Sequence, residues 1–157
     1  MKTLIFISFL FCLSGLGDWE HKEVNFPLNN QIIGRWKTEQ IQIQYVVDSH
    51  LVHEQEISAE KGNGYDFDDT TVRVKYPDGT TAQGTYSVVK DAEEKKLLVL
   101  HLPGTTTTYL LISVTPTHMV WQKDLDNVNY TEDLTQKSAE RAVYTEVFKK
   151  VNTKDRQ

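Results

Sequence analysis

From residue 64 onward the chain is punctuated by turn signals about every ten residues, the interval of an antiparallel meander. The signals are Asp68-Asp69-Thr70, Tyr76-Pro77-Asp78-Gly79, Asp91-Ala92-Glu93-Glu94, Pro103-Gly104 and Thr115-Pro116-Thr117. Pro77 suits the second position of a type I turn that Asp78 and Gly79 complete. A proline has no N–H for a ladder, so Pro77, Pro103 and Pro116 mark strand ends.

Between these turns the apolar pattern has period two. Val72, Val74 and Tyr76 alternate with Thr71, Arg73 and Lys75, and Tyr86 and Val88 alternate with Thr85 and Ser87. Met119 and Trp121 alternate less cleanly, and residues 97–102 and 109–114 are apolar on both faces, as covered strands are. Upstream, Ile41, Ile43, Tyr45 and Val47 share one face of a long strand in which Trp36 is out of phase. Either a bulge near Glu39 rephases that strand or Trp36 serves a different layer. Residues 48–63 are polar and carry no clear period; residues 126–141 read as a loop or short helix. Val143, Val147 and Val151 also fit a helical stripe, but residues 142–151 are read as a strand.

Strands are therefore expected near 35–47, 64–68, 71–76, 82–89, 96–102, 107–114, 118–124 and 142–151. Short connections make sequential strands antiparallel neighbours. An open sheet of this size leaves two edges free, and closure removes them. The expected fold is all-β: an eight-stranded antiparallel up-and-down barrel, wide enough for packed side chains or one small ligand.

The N-terminus reads differently. Lys2 precedes an apolar run over residues 4–13, too short to span a bilayer comfortably, and Gly15 and Gly17 then offer a cleavage site before Asp18. The expected organisation is a signal peptide over 1–17, a lead-in over 18–33, the barrel over 34–151 and a polar tail over 152–157. The mature chain would lose Cys12, the single cysteine, and be exported to a periplasmic or extracellular space with no membrane span. The full sequence of 157 residues carries a net charge of −5, which argues against nucleic acid as a partner.

Gly34-Arg35-Trp36, opening the first long strand after the turn-like stretch 27–31, resembles the lipocalin signature. Ile33-Gly34-Arg35-Trp36-Lys37, Tyr65-Asp66-Phe67-Asp68-Asp69, Lys75-Tyr76-Pro77-Asp78-Gly79-Thr80, Gly84-Thr85-Tyr86-Ser87 and Val147-Phe148-Lys149-Lys150-Val151 are together similar to the small secreted lipocalin-like domain proteins of bacteria. The resemblance implies a calycin-type barrel whose open end takes an apolar ligand, with Gly34 and Trp36 as a structural signature. It also implies that Trp36 closes the barrel floor under a basic side chain from a late strand. Lys123, Arg141, Lys149 and Lys150 are all candidates for that side chain.

Catalytic chemistry has little support. Neither Gly-x-Ser-x-Gly nor His-Glu-x-x-His occurs, and the mature chain would hold no cysteine nucleophile. His50 and His53 with Glu54 and Glu56 have metal-ligand chemistry, but they read as solvated loop residues. The acidic stretch from Asp124 to Asp133 lacks the central glycine of a calcium loop, and Val128 occupies a ligand position. No catalytic residue, metal or cofactor is assigned, and the chain is read as a non-enzyme. Tyr76, Tyr86, Leu98, Leu100, Leu110, Ile112 and Trp121 are expected to line the barrel interior. They would bind a small lipophilic ligand there or fill it as a core. The alternative is docking to a protein partner, as an accessory subunit of a bacterial cell-envelope complex.

Overall fold

The computed structural model describes residues 28–151. A short helix, α1 (Leu28–Ile32), leads into strands β1 (Gly34–Val47), β2 (His50–Ile57), β3 (Gly64–Phe67), β4 (Thr71–Lys75) and β5 (Thr81–Lys90). They are followed by β6 (Lys96–Leu102), β7 (Thr105–Val114), β8 (His118–Glu132) and β9 (Thr135–Lys150). Every pairing is antiparallel, and β9 returns to pair with β1 and close the sheet.

β2 and β3 lie end to end along one edge of β1, with Ile41 opposite Ile57 and Lys37 opposite Gly64. They form a single stave interrupted by a 3-10 turn at Ala59–Lys61. Counted by staves, the molecule is the closed, eight-stranded up-and-down barrel that the turn spacing predicts. The order follows from the short connections, because each turn is too tight for anything but an antiparallel neighbour.

The phase of Trp36 is resolved by a bulge. Thr38 lies opposite Phe148 and Gln40 opposite Val147, so Glu39 is an extra residue on β1. The inward set accordingly changes from Trp36 and Thr38 to Ile41 and Tyr45, all of them buried.

Two segments depart from the sequence expectation. Residues 48–63, left unassigned, carry β2, and residues 126–141, expected as a loop or short helix, continue β8 and β9 through a hairpin. Both hairpins turn on two residues with positive φ, Asp48-Ser49 and Asp133-Leu134, rather than on the Asn-Gly pair that announces such a turn. β2 is exposed at all but two positions, so no apolar alternation marks it. In β8, Asn127 has φ 51, and the covered positions change from Trp121 and Leu125 before it to Val128 and Tyr130 after it. No single period runs through that strand.

β7 pairs with β8 only as far as Gln122, so the rest of β8, with β9, β1 and β2, rises as a four-stranded wall above the barrel. The barrel core holds Trp36, Tyr65, Phe67, Trp121 and Phe148 with aliphatic neighbours. The wall has its own small core of Tyr45, Tyr130, Ala139 and Ala142. The wall curls enough for His53 of β2 to reach β8: its ring stacks on Tyr130 at 5.0 Å, and Nδ1 lies 3.4 Å from Glu132.

Candidate functional site

One end of the barrel is closed. α1 lies beneath it with Ile32 fully buried, and Trp36 Nε1 donates a 2.7 Å hydrogen bond to the Ile32 carbonyl. Of the four basic candidates, Lys150 is the one that crosses Trp36, with Nζ 4.9 Å from the ring centroid. Gly34 makes room for it: its φ is +126°, and a Cβ there would stand 2.5 Å from Lys150 Cε.

Toward the other end the interior becomes polar. Glu146 of β9 is 2% exposed. Its inward position follows from strand parity with Ala142, Tyr144 and Phe148. Trp121 Nε1 and the Tyr144 hydroxyl donate to Oε2 at 3.2 and 2.8 Å. Thr38 Oγ1 stands 2.5 Å from Oε1 and 2.8 Å from the Asn63 carbonyl. A hydroxyl has one proton, so Glu146 and the Asn63 carbonyl compete for the Thr38 donor. Burial pushes the Glu146 carboxyl above the usual carboxylate range, against the hydrogen bonds from Thr38, Tyr144 and Trp121 that lower it. Burial and the hydrogen bonds act on this carboxyl in opposite directions, and burial is the larger effect.

Three tyrosines surround it. Tyr65 accepts a 3.1 Å hydrogen bond from Asn63, and burial raises its phenol well above the ordinary value. Tyr109 stacks on Trp121 at 4.3 Å; burial first, and the nearby Glu146 second, push its phenol up to about 12. Tyr144 is raised by the same two causes. Tyr109 and Tyr144 are half-buried, as are Tyr76 and Leu102 nearer the rim. The arrangement is a cluster of tyrosines above a buried carboxyl, with phenol groups able to donate and accept hydrogen bonds.

The sequence-expected lining is only partly brought together. Tyr86, Leu98, Leu100 and Trp121 are buried in the barrel core, and Tyr76 packs against its edge. Leu110 lies opposite Leu97 and shares its outer face, and Ile112 is 50% exposed. On β7 the inward residues are Tyr109 and Leu111, opposite in phase to the expected Leu110 and Ile112, and Ile112 falls at the register shift between Leu111 and Ser113. A strand apolar on both faces gives no parity to read, which is why Tyr109 was missed. Glu146 and Thr38 were missed because polar residues were assigned outward. Parity with Tyr144 and Phe148 was the signal available.

Tyr86 is a separate feature. It is 6% exposed, and among the described residues its hydroxyl has no hydrogen-bond partner. Burial, with Asp69 and Asp68 nearby, raises its phenol. His50 and His53 lie on β2, His50 bonded to the Asp48 carbonyl at 2.7 Å and His53 turned toward Glu132. Among the described residues no group of three or more metal-capable side chains converges. The signal peptide and C-terminal tail expected from the sequence lie outside the described residues. Comparisons with protein-family models, with curated proteins and with solved structures found no match to this chain.

Proposed function

We propose that this protein is a non-catalytic binding barrel that takes a small amphipathic ligand through the end opposite α1. The observation that carries this reading is the contrast between the two ends. One is sealed by Ile32, Trp36 and Lys150; at the other the inward-facing Tyr76, Leu102, Tyr109 and Tyr144 stay half-buried above Glu146. Ligand sites are apolar surfaces with a few convergent polar groups, and this end has that composition. Tyr109 and Tyr144 would meet the ligand's polar group, and Leu102 and Tyr76 its apolar part. Glu146 is held by Thr38, Trp121 and Tyr144, so the reading assigns it to positioning these side chains, with no cofactor. The Trp36–Lys150 pair supports the lipocalin-like resemblance. The apolar run over residues 4–13 supports export.

A thermal-shift panel of fatty acids and lipids tests the proposal. A ligand at a hundredfold excess over its dissociation constant stabilises the native state by about 2.7 kcal/mol. A member of the panel is expected to raise the Tm of the wild type and leave Leu102→Trp, with its filled mouth, unmoved. A panel that moves neither protein overturns the reading.

One observation favours a second reading, docking to an envelope protein. Leu134, at the tip of the wall, is 99% exposed and has φ 63, a conformation that bulky side chains avoid. Native mass spectrometry of the protein from its host separates the two: a retained small mass supports the first reading, a protein partner the second.

A further inference from the structure

The outer face around the start of β1 runs against the charge of the chain, which is net acidic at −5. Inward Trp36, Val74 and Phe148 turn their strand neighbours outward. Arg35 and Lys37 on β1, Arg73 and Lys75 on β4, and Lys149 on β9 are all exposed. Lys37 lies directly opposite Lys149 on one side and Gly64 on the other, and Gly64 lies opposite Lys75. Lys149, Lys37 and Lys75 therefore stand in one row across four adjacent strands, and Gly64 is the gap in that row.

Like charges directly opposite on neighbouring strands destabilise a sheet. Arg35 is matched, its Nε 3.0 Å from Asp66. Among the described residues no carboxylate lies within ion-pair distance of Lys37, Lys75, Arg73 or Lys149. Lys37, Lys75, Arg73, Arg35 and Gly64 line a cleft of about 460 Å³ bordered by Val151; Asp66, opposite Arg35 and Arg73, is the one carboxylate in its lining, against four cations. Gly64 has no conformational need to be glycine, since a Cβ there would meet Lys75 Cβ at 3.8 Å and the Trp36 carbonyl at 3.9 Å, ordinary contacts. Its missing side chain leaves a bare floor between cations.

We infer that the Gly64 cleft is an anion site that takes a phosphate or phosphodiester group. A carboxylate is satisfied by one arginine fork, whereas a phosphate accepts from several donors at once and offsets more than one charge. Lys37 and Lys75 flank the group and Arg73 reaches it from the next position along β4. The site lies on the outer face of the barrel and is independent of the tyrosine mouth.

Binding to the full chain is measured by calorimetry with inorganic phosphate and glycerol phosphate. Sedimentation with vesicles of phosphatidylglycerol, against vesicles of phosphatidylcholine, is the second arm. Saturable binding is expected, weakened about tenfold or more by Lys37→Gln/Lys75→Gln and by Gly64→Ala, and left unchanged by Lys96→Gln on another strand. Gly64→Ala keeps every charge and fills only the floor, and circular dichroism reports that each variant is folded. Binding of the soluble phosphates identifies a free phosphate or ester; binding of phosphatidylglycerol alone identifies a lipid headgroup. No binding in either arm overturns the site, as does binding that Gly64→Ala leaves intact, which would make the attraction a diffuse one.

Discussion

Lys150 lies across the face of Trp36 with its ammonium 4.9 Å from the ring centroid, in a position that a Cβ on residue 34 would oblige it to leave. Trp36 and Lys150 are also ladder partners, so this cation–aromatic contact adds to the seam along which β1 and β9 close the sheet. The aromatic ring supplies packing area and an electrostatic face in the same contact.

Trp36→Ala is expected to cost about 3–5 kcal/mol, since it empties a fully packed site and frees the Ile32 carbonyl from its donor. Gly34→Ala should also destabilise, through strain at positive φ and through eviction of Lys150. Urea denaturation of both variants checks this, and wild-type midpoints would place Trp36 outside the core.

Glu146 supplies a pH dependence. Its folded carboxyl titrates above the ordinary value of 4.5, so the folded protein binds more protons than the unfolded chain. The stability it contributes is complete below that ordinary value and declines as pH rises through the raised folded value. Glu146→Gln keeps a carbonyl for Trp121 and Tyr144 and an amide donor for Thr38. It is expected to remove this decline and to equal or exceed the wild type at neutral pH. Glu146→Ala strands Trp121 Nε1 and should lose about 1–3 kcal/mol. Denaturation midpoints measured across acid to neutral pH distinguish the three proteins.

Tyr86→Phe removes a buried hydroxyl that has no partner among the described residues. An unsatisfied buried polar group costs about 1–3 kcal/mol, so the variant should melt higher than the wild type. A lower Tm would show that a bound water or ligand satisfies the hydroxyl.

Leu134→Gly replaces a bulky residue at φ 63 with the one that prefers it, in an Asp-Gly hairpin turn. A gain of roughly 1 kcal/mol in thermal stability is expected. A loss would mean that Leu134 packs against something that holds the turn in place.

What the sequence announced and what it concealed have separate physical causes. Strands bounded by Pro77, Pro103 and Pro116 were legible because turn chemistry is local, and Val72/Val74 or Met119/Trp121 were legible because one face of a strand is wet. The Glu39 bulge was visible as a phase conflict between Trp36 and Ile41. β2 was hidden because both of its faces are mostly exposed, and β8 because Asn127 exchanges its faces midway. The tyrosine mouth was half-read: Tyr76 was named, whereas Tyr109 sat in a doubly apolar strand and Glu146 carries a charge that sequence logic sends to the surface.

The wall above the barrel keeps its side chains to itself, since the Tyr45–Tyr130 cluster shares no buried residue with the Trp36–Trp121 cluster. Substitutions in the two clusters should therefore be additive in free energy, because sites without shared partners couple weakly. Amides of residues 50–57 and 124–140 should exchange with deuterium through a local opening that leaves the amides around Leu98 and Trp121 protected. A chain of this design has two thresholds of unfolding in place of one, and changes at the tips of the wall can accumulate without taxing the barrel beneath.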